Sequence, residues 1–185
     1  MRRSVTAVLL MLGSVCVFGT VWAIPASASD PTNCVFLLQP TDAAPVQLGC
    51  YASFAQALAE GSGGSIQVPA TTTPAALTDS TLQADSVAAP AASVLIGTEW
   101  TGTGYTGSSN SYFASSTCTA STTWQVSYVT DAWNDLFSSG KGFGACDVNK
   151  KFAASNFGGA VVTCTPNCTT YGSQNGEISS LRWRV

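Results

Sequence analysis

Asn134-Asp135-Leu136-Phe137-Ser138-Ser139 and Asn175-Gly176-Glu177-Ile178-Ser179-Ser180 are two copies of one six-residue pattern. Each opens on Asn, continues with a short residue and two others, and closes on Ser-Ser. A second shared pattern precedes each copy: an aromatic, four residues, an aromatic, one residue, then Gly. It reads Trp100…Tyr105-Thr106-Gly107 in the first half and Phe152…Phe157-Gly158-Gly159 in the second. The same composite therefore occurs twice in the same order, which predicts two similar supersecondary units sharing one core. The spacing differs, since Trp100 to Asn134 spans 34 positions and Phe152 to Asn175 spans 23. The extra 11 residues are expected in a loop near Cys118.

The segments between these patterns read as strands. Alternation is visible in Trp124-Gln-Val-Ser-Tyr-Val, in Ala160-Val-Val-Thr-Cys and in Ile178-Ser-Ser-Leu-Arg-Trp-Arg-Val. Short strands separated by Gly, Asn and Ser turns predict a mainly β, antiparallel sandwich over residues 93–185. Within the six-residue copies, Asn, Asp and Ser supply hard oxygen donors of the kind Ca²⁺ takes. The same residues also make good turns without any metal, because Asn-Asp and Asn-Gly favour tight backbone reversals and Ser hydroxyls cap them.

The start of the chain reads as an export signal. Arg2 and Arg3 precede an apolar run from about Val5 to Ala23, followed by Ala26-Ser27-Ala28. Residues 1–28 are therefore expected to be removed. A retained anchor is the competing reading, but the run is near the lower limit for spanning a bilayer. The mature chain then has five Lys and Arg against ten Asp and Glu, a net charge of −5. Nucleic-acid binding needs a basic footprint that this balance does not supply. The same balance argues against attraction to an anionic membrane.

Six cysteines remain after cleavage, and an even count in an exported chain reads as a disulfide framework. Fifteen pairings are possible. Chain layout favours Cys34–Cys50, Cys118–Cys146 and Cys164–Cys168, each local to one unit. Zinc is set aside, because the chain has no His and no second tight Cys pair beside Cys164-Thr-Pro-Asn-Cys168. Residues 29–70 read as a small α+β appendage. A hairpin of Cys34-Val-Phe-Leu-Leu and Val46-Gln-Leu-Gly-Cys-Tyr is followed by a helix capped by Ser53 and ended by Gly61. Residues 71–92, rich in Ala, Thr, Ser and Pro with no amphipathic period, read as a linker, with partial ordering against the next domain as the alternative.

The doubled pairing of the aromatic hairpin with the Asx-Asx-x-x-Ser/Thr-Ser signature resembles the βγ-crystallin family, across about 90 residues at the C-terminus. The resemblance implies a two-Greek-key β-sandwich with two calcium sites, each drawing ligands from both halves. Carried over position by position, it implies the Asp135 side chain, the Leu136 carbonyl and the Ser138 hydroxyl in the first copy. In the second it implies the Glu177 carbonyl and the Ser179 hydroxyl. Asn134 and Asn175 brace the loops. Gly176 departs from the signature because it has no side-chain oxygen, so one site is expected to be weaker. With one carboxylate among neutral ligands, affinity is expected at roughly 10⁻⁵ to 10⁻³ M.

The function expected from these residues is calcium binding that stabilises a secreted, monomeric sandwich. An enzyme is not expected. The absence of His excludes Ser-His and Cys-His nucleophile systems. The acids Glu99, Asp131, Asp135, Asp147 and Glu177 lie in no catalytic pattern. The alternative implied by the resemblance is a secreted protease inhibitor, or an antimicrobial or yeast-killing toxin, with the motifs wholly or partly structural. Its partner would be an extracellular protease or a cell-surface target. Intact mass of the exported protein, before and after reduction, should show an N-terminus at Ser29 and three disulfides; an uncleaved start or free native thiols would refute both expectations.

Overall fold

The computed structural model describes residues 32–40, 43–84 and 93–185. The expected signal and its cleavage site lie outside the described residues, as do residues 85–92 of the expected linker. Among the described residues nine strands form two sheets. β1 (Asn33–Leu37), β2 (Val46–Tyr51), β3 (Val94–Gly102), β4 (Thr106–Ala114) and β6 (Ser139–Gly142) make the first sheet, in the order β2-β1-β4-β3-β6. β5 (Trp124–Val126), β7 (Val148–Ala154), β8 (Gly158–Cys164) and β9 (Ser180–Arg184) make the second, in the order β5-β9-β7-β8. β5 belongs to the first half of the repeat yet pairs with β9 of the second. Reciprocally, Cys168 of the second half bridges Gly140 of the first sheet. Each half lends a segment to the other's sheet, which is Greek-key crossing between two packed layers.

The main core fills the space between the sheets with Phe36, Ile96, Tyr112, Phe137, Leu181 and Trp183 among its members. Trp183 fits because Gly97 faces it: a Cβ at Gly97 would overlap the indole. Polar groups are sealed in the same interlayer. Lys151 of β7 forms an ion pair with Glu99 of β3, and both side chains are wholly buried. The Tyr171 hydroxyl donates to the other Glu99 oxygen. Gly140 leaves the room for this trio, since a Cβ there would collide with both the Tyr171 hydroxyl and the Glu99 carboxylate. Burial pushes the Glu99 carboxyl up and the Lys151 ammonium down, and their mutual contact opposes both shifts.

All three disulfides match the layout expected from the sequence: Cys34–Cys50, Cys118–Cys146 and Cys164–Cys168. The first joins residues that face each other across β1 and β2. Among the described residues no helix is long and apolar enough to cross a membrane.

Two segments dock more closely than the sequence alone shows. The expected hairpin and helix are present, and the hairpin is joined to the sandwich. β1 pairs in parallel with β4, from Asn33↔Ser109 to Leu37↔Phe113, so the hairpin extends the first sheet. The helix α1 (Phe54–Gly61) starts as expected, with the Ser53 side chain accepting from the Gln56 amide at 3.2 Å. Gly61 serves packing as well as helix ending, because a Cβ there would enter the Phe113 ring. Residues 71–84 are partly ordered against the first sheet. They contain a 3₁₀ turn at Pro74–Ala76 and the short helix α2 (Asp79–Ala84). Leu77 and Leu82 are buried there. Lys141 of β6 holds this strap by donating to the carbonyls of Ala75 (2.7 Å) and Leu77 (2.9 Å). Two leucines in a small-residue stretch carry no periodicity, which is why the sequence does not reveal the contact. Together α1 and the strap build a second core on the outer face of the first sheet, around Val35, Leu58, Leu95, Trp100, Phe113 and Phe143.

The buried pair makes a signed prediction. Lys151→Met should cost about 3–5 kcal/mol near neutral pH, because it strands a buried carboxylate. Without its cation, Glu99 has a folded-state pKa further above the unfolded value. The folded form then gains from protonation fully below the unfolded pKa and loses that gain as pH rises towards the folded one. Glu99 is already raised in the parent, so the deficit relative to the parent should shrink on acidification by about 1.4 kcal/mol per pH unit between the parent's and the variant's folded-state pKa. Denaturant titrations from acid to neutral pH measure it, and a pH-independent deficit would contradict the ion pair.

Candidate metal centre

The two six-residue copies meet around a local pseudo-two-fold axis. The Asp135 amide donates to the Ile178 carbonyl (3.2 Å), and the Gly176 amide donates to the Phe137 carbonyl (2.9 Å). These are the same two positions, second and fourth, exchanged between copies. Both second residues adopt the left-handed conformation, with φ of 60° at Asp135 and 73° at Gly176. Asp tolerates that region better than most residues, and Gly without strain. The turn geometry thus explains the residue types at both positions before any metal is considered.

The remaining positions divide by role. The sixth residue is structural. Ser139 Oγ accepts from the Tyr105 amide (3.0 Å) and donates to the Gly102 carbonyl (2.6 Å). Ser180 Oγ repeats this with the Phe157 amide (3.0 Å) and the Ala154 carbonyl (2.7 Å). Each closing serine therefore pins the aromatic hairpin of its own half. This explains why the two sequence patterns travel together. The aromatics pair edge-on at the hairpin corners, Trp100 with Tyr105 at 5.3 Å and Phe152 with Phe157 at 5.6 Å. Two residues beyond each closing serine a cation covers the corner: Lys141 over Tyr105 at 4.6 Å and Arg182 over Phe157 at 4.1 Å.

The first position hydrogen-bonds within its own loop. Asn175 Oδ1 accepts from the Tyr171 amide (2.8 Å) and the Thr170 hydroxyl (3.2 Å). Asn134 Nδ2 donates to the Asp135 carboxylate (2.7 Å). Its own Oδ1 is buried with no partner among the described residues, and so is Gln174 Oε1 just before the second copy.

The expected donors lie on these loops. The Asp135 side chain is exposed, as are Leu136 and Glu177. No hydrogen-bond donor among the described residues takes the Leu136 or Glu177 carbonyl. Ser138 and Ser179 are buried, and their amides are fixed to the carbonyls of Trp100 (2.8 Å) and Phe152 (2.9 Å). The Ser179 hydroxyl lies 3.3 Å from the Ala153 carbonyl. Because Asp135 bonds to Ile178, it stands next to Ser179 of the other copy; Gly176 stands likewise next to Ser138. The loops therefore present donors across the axis. The Ala153 carbonyl and Gln174 were not legible in the sequence. A backbone carbonyl has no residue signature, and Gln174 lies outside the repeated pattern. No group of three or more His, Cys, Asp or Glu that could hold a metal occurs among the described residues. The donor set is one carboxylate with hydroxyls, carbonyls and two orphaned amide oxygens. That chemistry fits a hard, oxygen-seeking cation and not a soft one.

No family model matches the chain, and no curated protein matches it. Among solved structures it is similar to a βγ-crystallin from Ciona intestinalis, at 20% identity over 46% of this chain and 94% of that one, TM-score 0.36. It is also similar to a βγ-crystallin domain from Clostridium beijerinckii, at 18% identity over 48% of this chain and 97% of that one, TM-score 0.35. A clostrillin double mutant in complex with nickel matches at 17% identity over 49% and 98%, TM-score 0.37.

The asymmetry between the copies is testable. Gly176→Asp adds a carboxylate at the deficient position, where an ideal Cβ meets only the Asp135 carbonyl, at 3.4 Å. Asp135 occupies the equivalent conformation, so the backbone cost should stay near about 1 kcal/mol. Isothermal titration with calcium should show one strong and one weak site in the parent and a tightened weak site in the variant. Two equal parent sites would mean that position 176 supplies no missing ligand.

Proposed function

We propose that this chain is an exported, disulfide-braced calcium-binding protein of βγ-crystallin type, not an enzyme, in which metal ties the two halves of the sandwich together. The carrying observation is the reciprocal pair of bonds, Asp135 to Ile178 and Gly176 to Phe137, which holds both motif loops together with their third-position carbonyls unused. Asp135, the Leu136 carbonyl and Ser179 would hold one ion. The Glu177 carbonyl and Ser138 would contribute to a second, weaker site. Bound calcium supplies positive charge to oxygens that otherwise rely on water. Three disulfides suit an oxidising, extracellular setting. We read the protein as a monomer with no nucleic-acid partner.

The role assigned to the metal is stabilisation by mass action. At about 100 times the dissociation constant, one site adds roughly 2.7 kcal/mol to the folded state. The melting temperature should therefore rise with calcium. Asp135→Gly removes the carboxylate while accepting the left-handed backbone, so it should leave the metal-free melting curve nearly unchanged and abolish most of the calcium-dependent rise. A parent melting curve unmoved by millimolar calcium would refute the reading and leave the six-residue copies as structural turns.

A further inference from the structure

We infer that the outer face of the second sheet is a binding surface for an acidic polysaccharide, a linear chain bearing carboxylates. Beyond residue 28 the chain has five cations: Lys141, Lys150, Lys151, Arg182 and Arg184. Two are consumed internally. Lys151 is sealed against Glu99, and Lys141 is buried against the strap carbonyls. The other three lie on the neighbouring strands β7 and β9. Lys150 stands directly opposite Arg182, and Arg184 opposite Val148. Their flanking neighbours Asn149, Lys151 and Trp183 are buried, Lys151 and Trp183 in the interlayer. Alternation therefore directs all three cations to the outer face. Arg184 follows Arg182 by two residues, a rise of about 7 Å. Every cation not used internally thus converges on one side of a molecule whose net charge is negative.

Among the described residues none of these three cations forms an ion pair; the one ion pair there is Lys151 with Glu99. Arg182 is pre-positioned: it lies over Phe157 at 4.1 Å and Phe152 at 5.6 Å, and its Nε donates to Gln125 Oε1 at 2.9 Å. The terminal guanidinium nitrogens remain for a planar, bidentate partner, and carboxylate is such a partner. The first sheet has no comparable face, because α1 and the strap cover it. Among the described residues no helix packs on the outer surface of the second sheet, and Val161 of β8 is exposed there. Flat, weakly apolar and basic, this surface fits a polymer of hydroxyls and carboxylates. It does not fit nucleic acid, which asks for a longer basic track and aromatic faces open to bases. Phe152 is buried, and Arg182 covers Phe157.

The probe is polygalacturonate, with binding measured as a function of salt in the presence of chelator, so that calcium bridging plays no part and the calcium reading is tested separately. The parent should bind, with log affinity falling steeply against log salt. Each cation removed should lower that slope by about one. Lys150→Gln with Arg184→Gln should weaken binding at least tenfold without changing the melting temperature. The single Arg184→Gln, at the exposed end of β9, provides the same comparison should the double variant be unstable. Arg182 is left intact because it packs on Phe157. Neutral dextran should not bind. Absence of polygalacturonate binding at low ionic strength would overturn the inference. So would unchanged affinity in the variants, equal affinity for duplex DNA, or equal binding to anionic lipid vesicles.

Discussion

The contact on which the sandwich turns is the ion pair between Glu99 and Lys151, closed by the Tyr171 hydroxyl. It is the point where the first sheet, the second sheet and the segment leading into the second motif meet. Its members are buried and compensate one another, with the Trp183 ring 4.9 Å from the Lys151 ammonium. Burial raises the Tyr171 phenol well above its ordinary pKa, and the neighbouring carboxylate raises it further, so it stays a hydrogen-bond donor. A buried pair of this kind contributes little net stability compared with a well-packed apolar set, but losing one member is costly. Its effect is specification. It accepts one register of β3 against β7, and it requires glycine at position 140.

That registration places the two motif loops against each other. Once β6 and β9 are set, the fourth-position carbonyls of Phe137 and Ile178 face the second-position amides of the opposite copy. The six-residue pattern then carries two duties. Its first and last residues maintain the loop and the aromatic hairpin, through Asn175 to Tyr171 and through Ser139 and Ser180 to the hairpin backbones. Its second, third and fifth residues offer the oxygens. The turn and the proposed metal role overlap at two of these oxygens, since Asn134 holds the Asp135 carboxylate and the Ser179 hydroxyl meets the Ala153 carbonyl.

The two halves repeat their local chemistry but not their surroundings. Trp100 and Tyr105 lie in a second core under α1 and the strap, whereas Arg182 lies over Phe152 and Phe157. The N-terminal region therefore turns a symmetric sandwich into one with a shielded face and an open face. Lys141 illustrates the change: the position equivalent to Arg182 becomes a clamp on the Ala75 and Leu77 carbonyls.

Local patterning was legible in the chain. The six-residue copies, the aromatic hairpins, the disulfide partners and the Ser53 helix cap all depend on neighbours within one unit, so residue type and spacing carry them. The sequence also marked Gly176 as the deficient position, because a missing side chain is visible without coordinates. What only the tertiary structure decided was every relation across layers. β1 joins β4 through backbone bonds that any residues could make, so residues 29–70 looked detached. Leu77 and Leu82 anchor a strap that composition alone describes as a linker. Glu99 and Lys151 are 52 positions apart, and nothing in either neighbourhood announces that they meet. The convergence of Lys150, Arg182 and Arg184 likewise requires the pairing of β7 with β9. Long-range pairing is set by burial and register summed over the whole core, and a linear pattern reports only the part of that sum lying within a few residues of itself.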